Sequence, residues 1–144
     1  MSQLFGFALA ENEEVRHTFP MPITVITVAP PQVGNKTWLH EFQRLEKIGC
    51  LRHIRVTNDG DQVCVTPFLG YYQTGLNIHL YPKRKAAIEY SKQWSRLSMV
   101  KFVGFEITHA VSTYLELLKS DENRDILKKS VEDLYEEAIY GKYL

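Results

Sequence analysis

An α/β architecture, a mostly parallel sheet flanked by helices, is what this sequence predicts, and three observations predict it. Residues 23–29 (ITVITVA) are an almost unbroken β-branched run, the pattern of a strand covered on both faces in a parallel sheet. Apolar residues then recur at helical spacing: Trp38, Leu39, Phe42, Leu45 and Ile48. A second strand-like run, LRHIRVT at 51–57, follows at once. Strand and helix alternating in this order is what βαβ units look like in sequence.

Taken in order, residues 2–10 (SQLFGFALA) are strong helix formers around one glycine, with polar Glu11–Glu14 beyond. That helix starts on an apolar turn with no N-cap residue, so its natural start is expected upstream of Met1. Pro20 and Pro22 precede the first strand, and Pro30 and Pro31 stop it. The next helix, near 36–48, is capped by Asn35 or Thr37, carries Lys47 in its last turn and ends at Gly49. The strand at 51–57 runs into the turn cluster Asn58-Asp59-Gly60-Asp61. A loop through Pro67 and Gly70 leads to an alternating strand at Gly75–Tyr81. Residues 83–101 read as basic and irregular, with room for one short helix. Two helices close the chain, one after His109 and one over about 121–140, which Ser120 caps, Gly141 ends and a stripe from Ile126 to Ile139 anchors. No repeat or low-complexity tract interrupts this order. The expected division is 1–119 for the α/β part and 120–144 for a C-terminal helical extension.

Bulk properties exclude several classes. The 144 residues suffice for one domain with a sizeable core. Seventeen acidic and seventeen basic residues cancel, which argues against a nucleic-acid binder working through a broad basic face. No stretch approaches a membrane span, and MSQLFGFALAENEE has no basic n-region and so is not read as a secretory signal. The compartment is left open. Cys50 and Cys64 have no metal-ligand spacing; a disulfide and two thiols are both compatible with them. His40 and His53 read as surface or packing residues.

Two places carry chemistry. Asp61 lies just past the carboxyl end of a strand, where open parallel sheets form their sites. His109 opens a later helix that contains Tyr114. Taken singly, an Asp in an N-D-G-D turn is ordinary turn chemistry, and a His beside a helix start is ordinarily a surface or packing residue. Together they follow the acid-then-histidine order of the α/β-hydrolases.

The stretch 23–67 resembles the class 3 (fungal-type) lipases. That family carries T-F-G-[SA]-P-x-V-G-N at the end of one strand, matched here by Thr27-Val-Ala-Pro-Pro-Gln-Val-Gly-Asn35. It carries R-V-x-N-x-x-D-x-V-P-x-x-P at the end of the next, matched by Arg55-Val-Thr-Asn-Asp-Gly-Asp-Gln-Val-Cys-Val-Thr-Pro67 at six of seven fixed positions. His109-Ala-Val-Ser-Thr-Tyr114 is similar to the family's H-[DS]-[LV]-x-x-Y segment, and residues 2–7 to the helix after the nucleophile. Ala29 and Pro30 stand where the family has Gly-[SA], and Cys64 where it has proline. The resemblance, over roughly 2–118, implies a partial α/β-hydrolase whose N-terminal half is missing. It implies that Asp61 is the catalytic acid and His109 the base of a Ser-Asp-His mechanism on lipid esters, acylglycerols or related lipids, with no metal or organic cofactor.

The family nucleophile is absent from the sequence: none of the seven serines stands in G-x-S-x-G, and Ser2 falls after that position. The oxyanion-hole donors belong to the same missing half, so the chain alone is expected to be inactive. The alternative is a non-catalytic lipase-like module that binds lipid or regulates an active homologue. A third reading, an unrelated α/β binding module, requires Asp61 and His109 to lie far apart.

Three secondary features complete the reading. Lys83, Arg84, Lys85, Lys92, Arg96 and Lys101, with Tyr90 and Trp94 interleaved, read first as a solvated insertion and second as a patch for an anionic membrane or lipid-droplet surface. Phe68, Leu69, Tyr71 and Tyr72 read first as core and second as the lining of an acyl-chain pocket. A strand at 23–29 that has lost a neighbour is expected to promote self-association through its exposed edge.

Overall fold

The computed structural model describes residues 1–67, 69–90 and 109–140. The elements are α1 (Ser2–Glu11), α2 (Glu13–Thr18), β1 (Ile23–Val28), α3 (Lys36–Lys47), β2 (Leu51–Asn58), a 3-10 turn (Val63–Val65), β3 (Leu76–Tyr81), β4 (Arg84–Tyr90), α4 (Val111–Lys119), a second 3-10 segment (Arg124–Lys128) and α5 (Val131–Tyr140). The strands lie in the order β1-β2-β3-β4. The first three are parallel and β4 is antiparallel to β3. This is a partial α/β fold.

Local chemistry fixes the elements. Asn35 caps α3, its Oδ1 accepting from Trp38 N at 3.0 Å, and Gly49 takes the left-handed conformation past the end at φ +76°. Asn12 caps α2 in the same way, through Val15 N. Gly6 lets α1 lie directly on β1, since a Cβ there would meet Val25 Cγ2 at 2.2 Å. Gly75, at φ +72°, passes so close to β2 that a Cβ would meet the His53 carbonyl oxygen at 2.1 Å.

The two faces of β2 differ in chemistry. Ile54 and Val56 join Leu76, Ile78, Leu80, Tyr114, Leu134 and Ala138 in an apolar core under α4 and α5. Leu51 faces the other way, into a second core with Ala10, Val25, Phe42 and Leu45 under α1 and α3. His53, Arg55 and Thr57 share that second face and are also buried. Buried polar groups need partners. His53 sits between the hydroxyls of Thr27 and Thr74, each at 2.9 Å. Arg55 Nε donates to the Thr74 carbonyl at 2.8 Å, and Thr57 Oγ1 bonds Asn77 and His79. His53 is therefore a packing histidine. Burial first, and the Arg55 guanidinium second, hold its pKa down at about 3. His40 is exposed.

Several expectations are corrected. β1 is an edge strand, and Ile26 and Val28 remain 62% and 49% exposed: α1 covers the Val25 face, while α4 and α5 sit over β3 and β4. The segment 84–90, expected to be irregular, is a strand. Its alternating Ala86, Ile88 and Tyr90 pack on the apolar core, a period masked in sequence by the cations before them. The single helix expected over 121–140 is two pieces. Buried Asn123 accepts from Ala86 N at 2.8 Å and donates to the Leu117 carbonyl at 3.1 Å. Ser130 then opens α5 with a reciprocal cap: Ser130 N donates to Asp133 Oδ2 at 3.0 Å and Asp133 N to Ser130 Oγ at 3.1 Å. Cys50 and Cys64 are both free thiols. Leu69 and Tyr71, expected in the core, are 89% and 45% exposed, because their loop runs over the rim of the sheet. Phe68, Lys92, Trp94, Arg96 and Lys101 lie outside the described residues.

Candidate active site

β2 delivers the acid. Its last residue, Asn58, begins a turn in which Asp61 N donates to the Asn58 carbonyl at 3.2 Å and Gly60 adopts φ +88°. Asp59 N donates to the Leu80 carbonyl at 3.0 Å, pinning the turn to the end of β3. The chain then folds back as a 3-10 turn, and Val63 N donates to Asp61 Oδ1 at 2.9 Å. The N-D-G-D sequence thus makes its ordinary turn bonds, and in doing so it fixes a carboxylate at the carboxyl end of a parallel sheet.

α4 delivers the histidine. His109 stands two residues before the helix, with Ala110 at the N-cap position. Its Nδ1 lies 3.0 Å from Asp61 Oδ2 and 3.2 Å from Oδ1, across 48 positions of sequence. An ionised carboxylate only accepts, so Nδ1 is the donor. The acid side chain is fully buried, whereas that of His109 is 41% exposed: one group is locked, the other reaches the rim.

A third residue completes the cluster. Tyr114, on the first turn of α4 and 1% exposed, donates its hydroxyl to Asp61 Oδ2 at 2.6 Å. Burial first, and the neighbouring Cys64 second, raise the tyrosine pKa, so the hydroxyl stays protonated and available as a donor. Cys64 Sγ lies 3.6 Å from the same hydroxyl. Burial pushes its thiol up to about 12, and a protonated thiol is not a nucleophile. In the sequence, Tyr114 is a motif position to which no role attaches. The tyrosine of the H-[DS]-[LV]-x-x-Y segment, five residues after His109, was the available signal. The role of Arg55 was equally silent: it is a buried guanidinium tying β2 to the segment before β3, with its pKa lowered to about 10 by burial.

Ala29 marks the rim of β1. It holds φ +51°, a left-handed conformation that suits glycine better than alanine, at the position where the lipase pattern carries glycine. Its N–H donates to the Val56 carbonyl at 2.9 Å, so the pairing with β2 maintains the strained residue. Among the described residues, no three His, Cys, Asp or Glu side chains are grouped to hold a metal ion. None of the described helices is long and apolar enough to cross a membrane.

Comparison with known proteins finds a family match over about the first half of the chain. Residues 1–71 match the family model for Lipase (class 3); His109 lies beyond that match. No curated protein and no solved structure matches the chain. The matched span holds α1, α2, β1, α3, β2 and the turn that carries Asp61, and it supports a class 3 lipase family domain over residues 1–71.

Proposed function

We propose that these residues form the acid–base half of a carboxylic ester hydrolase acting on lipid esters, acylglycerols or related lipids, with His109 as general base and Asp61 as the carboxylate that orients it. The observation that carries this reading is the bond from His109 Nδ1 to a buried Asp61 at the carboxyl end of the sheet. With Nδ1 committed to Asp61, the imidazole is held in the tautomer whose Nε2 accepts a proton from an attacking hydroxyl and returns it to the leaving alcohol. The carboxylate then stabilises the imidazolium formed between those steps. The hydroxyl would come from a serine in a G-x-S-x-G elbow with its oxyanion donors. No serine in the sequence stands in that motif, so in this proposal the residues hydrolyse no ester until a segment bearing one completes the site.

An esterase assay on a soluble lipid-ester analogue tests the reading. These residues joined to a class 3 lipase segment bearing the elbow should turn over, and Asp61→Asn and His109→Ala should each abolish most of that activity. These residues alone should give none. Full activity in the joined His109→Ala variant, with the fold intact by circular dichroism, would overturn the assignment. Lipid binding without hydrolysis in every form would favour a non-catalytic lipase-like module.

A further inference from the structure

Because β2 and β3 are parallel, the Asp61 turn and the hairpin leaving β3 emerge at the same end of the sheet. That hairpin carries Pro82, Lys83, Arg84 and Lys85, all exposed. Among the described residues, none of the three cations lies within ion-pair distance of a carboxylate. Arg84 instead lies over the Tyr81 ring, 3.5 Å from its centroid, so its charge is held in place without being neutralised. Asp59, Tyr81, Pro82, Lys83 and Arg84 line a recess of about 390 Å³ beside the acid turn.

The loop after Asp61 adds an apolar component. Gln32 N donates to the Thr66 carbonyl and Tyr72 N to the Gly34 carbonyl, both at 2.8 Å, which holds this loop to the chain leaving the carboxyl end of β1. Leu69 on it is 89% exposed and Tyr71 45%. Exposed cations and exposed apolar side chains thus share the end of the sheet that carries the Asp61 turn and His109. We infer that this rim, the β3–β4 hairpin together with the loop around Leu69, docks the protein on the surface of an anionic lipid bilayer. Cations near an anionic leaflet attract it, and apolar side chains enter the headgroup boundary. A nucleic acid would meet the same cations, but it gains nothing from Leu69, and the zero net charge of the chain offers it no wider basic face.

The inference rests on the lipid-ester reading only for its purpose. Vesicle binding requires no nucleophile, so docking and hydrolysis can fail separately. Co-sedimentation of the whole chain with phosphatidylcholine vesicles, with and without phosphatidylglycerol, tests it. Binding should require phosphatidylglycerol and should fall as salt rises from about 0.1 M to about 1 M. Replacing Lys83, Arg84 and Lys85 together by Ala should cost on the order of 100-fold, and Lys83→Ala alone roughly fivefold. Leu69→Asp should weaken binding further, whereas Lys47→Ala, at the opposite end of the sheet, should leave it unchanged. If the triple variant does not fold, the single Lys83→Ala and the salt dependence of the unaltered protein decide. Equal binding to both vesicle types, insensitivity to salt, or binding to a single-stranded oligonucleotide but not to vesicles would overturn the inference.

Discussion

Asp61 and Glu46 stand at opposite ends of β2 and are held by the same kind of partner. Asp61, past the carboxyl end, accepts the Tyr114 hydroxyl at 2.6 Å. Glu46, in the last turn of α3 near the amino end, accepts the hydroxyls of Tyr90 and, at 3.4 Å, Tyr135. Tyr135 also receives the His53 N–H at 3.0 Å, so Glu46 belongs to a knot joining α3, β2, β4 and α5. The two sites differ in what lies beyond the tyrosines. Asp61 meets a partly exposed imidazole, whereas the knot around Glu46 meets His53 through its backbone N–H, and that imidazole is committed to Thr27 and Thr74. A buried carboxylate bonded to tyrosine is therefore a structural device by itself; in our reading it becomes part of a reaction only where it aims a histidine at the rim.

The largest expected effect separates the two carboxylates by activity. In a polypeptide carrying both the nucleophile elbow and these residues, Asp61→Asn should lower kcat by on the order of 10⁴, and Glu46→Gln should leave it within a few-fold. Equal losses in a steady-state assay would erase the distinction.

Next comes a pH effect belonging to Glu46. Burial raises its carboxyl from 4.5 to about 7, against the pull of Tyr90, Tyr135 and the Arg55 charge. The folded state therefore binds this proton more tightly than the unfolded chain does. The stability it contributes is complete below about pH 4.5 and is lost as pH rises through about 7. Between those limits the loss should be on the order of 2 kcal/mol. Glu46→Gln, which cannot ionise, should remove that slope in urea titrations, and an unchanged slope would place the titrating group elsewhere.

The smallest effect sharpens the contrast through the tyrosines. Tyr114→Phe and Tyr135→Phe should each cost about 1–2 kcal/mol of stability, since each strips a buried partner of a hydrogen bond. Only Tyr114→Phe should also slow the completed enzyme. Similar slowing by Tyr135→Phe would mean that the two knots are coupled.

Much of this was legible in the sequence, for identifiable reasons. The β-branched run before Pro30, the cap at Asn35 with Gly49 beyond, and the N-D-G-D turn are local signals that fix local geometry, and β1, α3, β2 and the acid turn follow them. The signal failed where tertiary pairing decides. β4 owes its strand state to β3 and to the packing of Ala86, Ile88 and Tyr90, which its cations conceal. The break before α5 depends on Asn123 reaching a strand 37 positions away. Covering both faces of β1 needs neighbours that its β-branched composition cannot report. At the site, residue type and chain order singled out Asp61 and His109, whereas the bond from the Tyr114 hydroxyl to the acid, spanning 53 positions, needed coordinates.

Nitrogen-15 NMR of the His109 ring, compared between the unaltered chain and Asp61→Asn, reaches the central claim without waiting for turnover. The proton of the neutral ring should be held on Nδ1, with that preference weakened or lost when the carboxylate becomes an amide. A neutral ring protonated on Nε2 instead, or a spectrum indifferent to Asp61→Asn, would contradict it.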